Sequence, residues 1–320
     1  MTTKYYVALD LGTNSVIQLT ALATEHGAFE TVDEQLRIPR LGEGLAENGG
    51  LKPEAMDRTL DAVAEVLVNV EETTEHGCAV AAATSAVREA DNRHAFLERF
   101  SERFHSSPYI ISGQEEARTT FLGVASDQGE DTEILNIDIG GGSTEYGIGK
   151  RGFCRGADSL PLGCVKLTER FGLEGECSDG QIQRAYEYAR EEISRVGEDM
   201  SEKRIQQPPE VLASGGTATT YAAYKTGVAP YEHKTIHGVK GERGELAEIV
   251  DTLCRMDTYT RTCETGISVE RAPVLPAGLI ILMAVLDQIG SKNFSVTARG
   301  LRFGLIVRMH AGELTPTWTW

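Results

Sequence analysis

Two stretches of this chain repeat one pattern of apolar and polar positions. In YYVALDLGTNSVIQLTAL, Tyr5 to Leu22, an apolar strand ends in Asp10, a turn of glycine with Thr, Asn and Ser follows, and a second apolar strand leaves. In ILNIDIGGGSTEYGIG, Ile134 to Gly149, the same order returns with Asp138 at the strand end. Short apolar runs joined by glycine-containing turns predict antiparallel hairpins. A third strand is expected after each: Ala28–Ile38 beyond the turn His26-Gly27, and Gly152–Ser159 beyond the second hairpin.

Helical spacing follows each meander. Met56, Leu60, Val63, Leu67 and Val70 lie on one face of a helix headed by Pro53. Cys78–Ala83 reads as a buried strand, Asp91 as the cap of a helix carrying Phe96, Leu97 and Phe100, Tyr109–Ile111 as a strand, and Ser112–Gly123 as a helix. In the second half, helices are expected at Cys164–Phe171 and Asp179–Val196, before the breaker Pro208-Pro209. Strand Val211–Ser214 runs into a helix opened by Gly215-Gly216. Glu245–Met256 and Val274–Gly290 are helical, Phe294–Thr297 is a strand, and Gly300–His310 is a closing helix. A meander followed by alternating helices and strands, twice over, predicts an α/β chain of two similarly built domains around a cleft. The expected division is 1–124 and 125–320, with the closing helix at about 300–310 packing back onto the first domain.

Composition narrows the function classes. Of 320 residues, 41% are hydrophobic and 25% charged, as in soluble globular proteins. No signal peptide is visible, and the apolar run Ala277–Leu286 is too short to span a bilayer. The six cysteines form no CxxC pair, so the expectation is a cytoplasmic protein without zinc or a disulfide framework. A net charge of −17 argues against nucleic-acid or membrane-surface partners. An anionic substrate stays admissible, because exposed charges are screened beyond about 8 Å at physiological salt.

The two turns suit phosphate. Glycine lets backbone amides approach an anion, and Asn14, Ser15, Ser143 and Thr144 add side-chain donors. Asp10 and Asp138 would repel phosphate unless they orient a divalent cation, as magnesium allows. A plain hairpin closure explains either turn alone, but poorly explains both.

DLGTNS and DIGGGSTE resemble the two phosphate loops of the actin / sugar kinase / Hsp70 superfamily, and LASGGTATTYAA, Leu212–Ala223, its third glycine element. More narrowly, the chain resembles the exopolyphosphatase / guanosine pentaphosphate phosphohydrolase (Ppx/GppA) family. The stretches that carry this are RLGEGL at Arg40–Leu45, TSAVREADN at Thr84–Asn92, ISGQEEARTTFLGV at Ile111–Val124, SLPLGCVKLTE at Ser159–Glu169, RAPVLPAGLIIL at Arg271–Leu282 and ARGLRFGLI at Ala298–Ile306. The resemblance implies two actin-like (ribonuclease H-like) domains with a central cleft, a short two-domain member, and a homodimer.

It also implies roles. Glu115 and Glu116 are adjacent near a helix start, so only one can face a given site; the resemblance selects Glu116 as general base for the attacking water. Glu145 would assist water or metal. Mg2+, or another dication such as Mn2+, would be held by Asp138 and Glu145, with Asp10 a further candidate. Gly12, Thr13, Asn14, Ser15, Arg88, Gly140, Gly141, Gly142, Ser143, Thr144, Gly215 and Gly216 would bind phosphate. Arg88 follows an apolar strand, and its guanidinium suits bidentate phosphate binding. Arg93, Lys166, Arg299 and Arg302 are weaker candidates, and His94, His233 and His237 have no metal-ligand spacing.

Two positions depart from the family pattern. Ile17 stands where many members have arginine or histidine, and Phe303 where many have an acid. The expected activity is release of terminal phosphate from inorganic polyphosphate, short chains preferred. The alternatives are hydrolysis of guanosine pentaphosphate or nucleoside di- and triphosphates, and a non-catalytic polyphosphate or nucleotide sensor.

Overall fold

In a computed structural model of the chain, residues 5–24, 29–73, 77–202, 209–227 and 233–319 are described. The predicted turn at His26-Gly27 and the breaker residue Pro208 lie outside them. The first hairpin is β1 (Tyr5–Leu11) and β2 (Val16–Ala23), continued by β3 (Phe29–Arg37). Then come α1 (Leu45–Asn48), α2 (Pro53–Thr73), β4 (Gly77–Ala83), α3 (Ser85–Glu89), α4 (Arg93–Phe104), β5 (Tyr109–Ile110) and α5 (Gly113–Ala125). The second round has β6 (Ile134–Ile139), β7 (Thr144–Lys150), β8 (Phe153–Leu160), α6 (Cys164–Phe171), α7 (Asp179–Glu202), β9 (Glu210–Ser214) and α8 (Gly215–Thr226). It continues through α9 (His233–Ile236), β10 (Lys240–Glu242), α10 (Arg243–Cys254), α11 (Thr258–Thr265), α12 (Leu275–Ile289) and β11 (Asn293–Val296). The chain closes with α13 (Leu301–His310) and β12 (Trp318–Thr319).

These elements form two compact units. The first takes residues 1–129 and 300–320 with the short piece 151–153; the second takes 130–150 and 154–299. The sheet of the first unit runs β12-β4-β1-β2-β3, with β5 also on β4. β1 pairs antiparallel with β2 and parallel with β4. The sheet of the second unit runs β10-β11-β9-β6-β7-β8, with β6 antiparallel to β7 and parallel to β9. Both sheets are mixed, and each unit is of α/β architecture.

β1 is apolar from Tyr6 to Leu9 because both faces of its sheet are covered. Leu9 and Leu11 pack with Met56, Leu60 and Val63 of α2 and Phe96 and Phe100 of α4. Ala8 lies on the other face in the cluster with Leu305, Ile306 and Met309 of α13. Phe303 is buried in that same cluster. α13 crosses α5 with the two backbones touching: a Cβ on Gly304 would lie 1.8 Å from the Thr119 carbonyl oxygen. In the second unit, α12 is buried from Leu275 to Leu286, which explains its unbroken apolar run. Among the described residues no helix is long and apolar enough to cross a membrane.

One cap differs from expectation. Asn92, not Asp91, precedes α4, and it makes no side-chain cap. Its amide instead bonds both backbone groups of Leu51, at 2.8 and 2.9 Å, tying α4 to the entry of α2. Ser112 does cap α5, its Oγ accepting from the Glu115 amide at 3.2 Å.

Candidate active site

The two glycine turns are built alike. Gly12 N donates to Ser15 O at 2.8 Å, and Gly140 N donates to Ser143 O at 2.9 Å. Asp10 stands opposite Ile17 in the first hairpin, and Asp138 opposite Glu145, the corresponding place, in the second.

Each loop is also held from behind. In the first unit, Gly42 N donates to Thr13 O at 2.8 Å and Arg40 N to Asn14 O at 3.1 Å. In the second, Cys164 N donates to Gly140 O and Val165 N to Gly141 O, both at 2.9 Å. In a trans peptide the carbonyl and the next amide point opposite ways. Anchoring these carbonyls therefore turns the amides of Asn14 and Ser15, and of Gly141 and Gly142, away from the buttress. Successive amides aimed one way make a nest for an anion. The Asn14 side chain supports this: it is 6% exposed, and its Nδ2 meets no acceptor among the described residues. A buried amide donor left unpaired is costly, and a phosphate oxygen would satisfy it.

The first unit also pairs two predicted site residues. Arg88 lies in α3, just past the end of β4, and Glu116 lies in the first turn of α5. Arg88 Nη1 donates to Glu116 Oε2 at 2.7 Å and to the Ile111 carbonyl at 3.0 Å. Glu116 is 8% exposed. Its neighbour Glu115 is the outward carboxylate, 3.1 Å from Arg308 Nη1. α3 sits close to the glycine turn, because Thr84 N donates to Leu11 O at 3.2 Å.

In the second unit, Ser214 Oγ donates to Asp138 Oδ2 and Ser159 Oγ to Glu145 Oε1, each at 2.7 Å. Gly215 has φ +79°, and a Cβ there would lie 2.3 Å from Asp138 Oδ1, so only glycine fits between β9 and α8. Gly216 lies under the guanidinium of Arg271, which a Cβ would meet at 2.4 Å. A cation thus sits against the first turn of α8, where helix amides already favour anions. Behind the loop, burial pushes the Cys164 thiol up, which favours its neutral form.

Among the described residues, no three His, Cys, Asp or Glu side chains cluster to hold a metal by themselves. The pair Asp138 and Glu145 nevertheless fits magnesium. Like charges directly opposite across two strands are unfavourable, and a dication offsets them. Magnesium is commonly held by one or two carboxylates, with water and substrate phosphates completing its shell.

Of the weaker cations, Arg302 is spent within the first unit in an ion pair with Glu34. Arg93 donates to the Arg88 carbonyl at 3.1 Å. Sequence reasoning assigned no role to Arg40, Ser159 or Arg271, and took Ser214 only as part of an anion-favouring helix start. Arg40 is exposed with φ +56°, a strained value outside glycine, and its amide anchors the first loop.

These features match a known group of proteins. A family model described as the Ppx/GppA phosphatase family matches residues 20–313. The chain belongs to the Ppx/GppA phosphatase family. A Ppx/GppA relative from Vibrio parahaemolyticus, a guanosine-5'-triphosphate,3'-diphosphate pyrophosphatase, is 29% identical over 305 residues, 95% of this chain and 59% of the relative. The chain therefore spans a little over half the length of that relative. The crystal structure of the Aquifex aeolicus Ppx/GppA member has a TM-score of 0.80 and 29% identity, covering 98% of this chain and 100% of the other. An exopolyphosphatase-like protein has a TM-score of 0.85 at 26% identity, covering 97% of this chain and 98% of the other.

Proposed function

We propose that the chain is a magnesium-dependent exopolyphosphatase that releases terminal phosphate from inorganic polyphosphate. The observation that carries this reading is the pair of facing carboxylates, Asp138 and Glu145, beside a glycine turn whose carbonyls are tied back. Phosphoryl transfer needs placed oxygens, offset charge and an aimed water rather than covalent chemistry by the protein.

The roles divide as follows. The amides of each glycine turn bind phosphate oxygens, and Asn14 adds a side-chain donor in the first unit. Arg88 binds a phosphate oxygen through guanidinium donors other than the Nη1 hydrogens that hold Glu116. Glu116, fixed in direction by that ion pair, takes the proton of the incoming water. Asp138 and Glu145 hold the dication, which when bound would offset the charge of the phosphate oxygens. Ser214 and Gly215 set the place of Asp138. A homodimer in the cytoplasm is the expected setting.

One alternative has an observation in its favour: the Vibrio relative is named for a guanosine pentaphosphate substrate. Ile17 weighs against it, because the position opposite Asp10 offers no side-chain donor to a nucleotide. A net charge of −17 favours short polyphosphate over long, since an extended polyanion would need cations beyond the site. The test is phosphate release from short polyphosphate, long polyphosphate, guanosine pentaphosphate and ATP, each with and without Mg2+. Fastest release from short polyphosphate, abolished by chelation, is expected. Preference for guanosine pentaphosphate moves the reading to the alternative, and binding without hydrolysis makes the chain a sensor.

A further inference from the structure

Four neighbouring strands of the second unit carry a row of polar side chains. Ser214 on β9 is in register with Asp138 on β6, and Asp138 with Glu145 on β7. Ser159 on β8, the next strand out, reaches Glu145 by its hydroxyl. The order is hydroxyl, carboxylate, carboxylate, hydroxyl, with each acid bonded by a serine on its outer side. The corresponding row in the first unit is Ala82, Asp10, Ile17 and Leu36. It has no hydroxyl and no second acid. The serines therefore accompany the paired acids and are not a requirement of the fold.

The choice of serine has a chemical reason. Glutamate has one more rotatable bond than aspartate, and a hydroxyl bonded to its Oε1 narrows the directions that Glu145 can take. A lysine or arginine would hold it but cancel its charge. A hydroxyl donates one hydrogen bond and leaves both negative charges for a dication. Such outer partners of ligating carboxylates typically change metal affinity or activity by about 10- to 100-fold.

We propose that Ser159 is a positioning residue that holds Glu145 in the direction needed to share a dication with Asp138. This rests on the reading of the pair as a dication site. It acts through Glu145 alone and does not touch substrate.

The experiment compares wild type, Ser159→Ala, Ser159→Thr, Ser159→Cys, Glu145→Gln and the Ser159→Ala/Glu145→Gln double variant. Mn2+ binding is measured by electron paramagnetic resonance without substrate, and phosphate release from short polyphosphate with Mg2+. Ser159→Ala is expected to weaken Mn2+ binding about tenfold and lower kcat about tenfold, with KM within about twofold. Threonine restores both. Cysteine, of similar size but a weak donor, falls with alanine, so the result survives if one variant folds poorly. In the Glu145→Gln background, Ser159→Ala changes nothing further. Wild-type Mn2+ affinity and kcat in both alanine and cysteine variants would overturn the proposal, as would a loss that adds fully to that of Glu145→Gln. If wild type releases no phosphate, the exopolyphosphatase reading fails, and the Mn2+ series still decides the role of Ser159.

Discussion

Asp138 and Glu145 face each other across β6 and β7, while the corresponding pair in the first hairpin is Asp10 and Ile17. Both units have the glycine turn, and only the second has a second acid opposite the first. Two acids in register cost stability unless something positive lies between them, so this difference makes the second unit the metal-binding half in our account.

The cost is measurable. Glu145→Gln removes one of the two facing charges, which is expected to stabilise the metal-free protein by about 0.2–1 kcal/mol. Thermal melting in a chelator should show a small rise in Tm for the variant. Added Mg2+ should raise the Tm of wild type and leave the variant nearly unchanged.

Arg88 serves two partners in the proposed mechanism. Arg88→Ala strips the 8%-exposed Glu116 of its guanidinium. Loss of about 1–3 kcal/mol of stability is expected. KM should rise and kcat fall together, because phosphate grip and water alignment are lost at once. Urea unfolding and steady-state kinetics check the two parts separately, and Arg88→Lys should recover stability better than activity.

Much of this was legible in the chain. The two hairpins, the acids at their strand ends, and the outward and inward members of the Glu115-Glu116 pair all follow from short-range pattern and family resemblance. The row Ser214–Asp138–Glu145–Ser159 was not legible, because it depends on which strands become neighbours and in what register. Arg271 at Gly216 and the buttress at Arg40–Gly42 were hidden for the same reason: whole strands and helices lie between them and the turns they meet, so only the folded chain brings them together. Asn92 rather than Asp91 could not be told apart from capping preference, since both are good cap residues; the tie to Leu51 decides it.

Gly215 should tolerate no side chain. Gly215→Ala combines a positive φ with a Cβ 2.3 Å from Asp138 Oδ1. Displacement of Asp138 and a fall of kcat by about 100-fold or more are expected, as for misplacement of a catalytic constellation. Kinetics with Mg2+ titration reads this, together with circular dichroism to show that the fold persists.

Acid should loosen the second unit through Asp287. Hydrogen bonds from Arg243, at 2.9 and 2.8 Å, hold its carboxyl below the usual carboxylate range, and Tyr186 donates to it as well. A lowered folded pKa adds stability above the ordinary carboxylate range and loses it as pH falls through the lowered value. Asp287→Asn is therefore expected to cost about 1–2 kcal/mol at pH 7. The gap from wild type should shrink in urea melts as the pH is lowered toward 3.

Glu116→Gln, assayed for polyphosphate binding and for phosphate release with Mg2+ in parallel, tests the central claim most directly. The account predicts affinity within about threefold of wild type and turnover lowered about 100-fold or more, the scale of losing a general base. Turnover near the wild-type rate would contradict it.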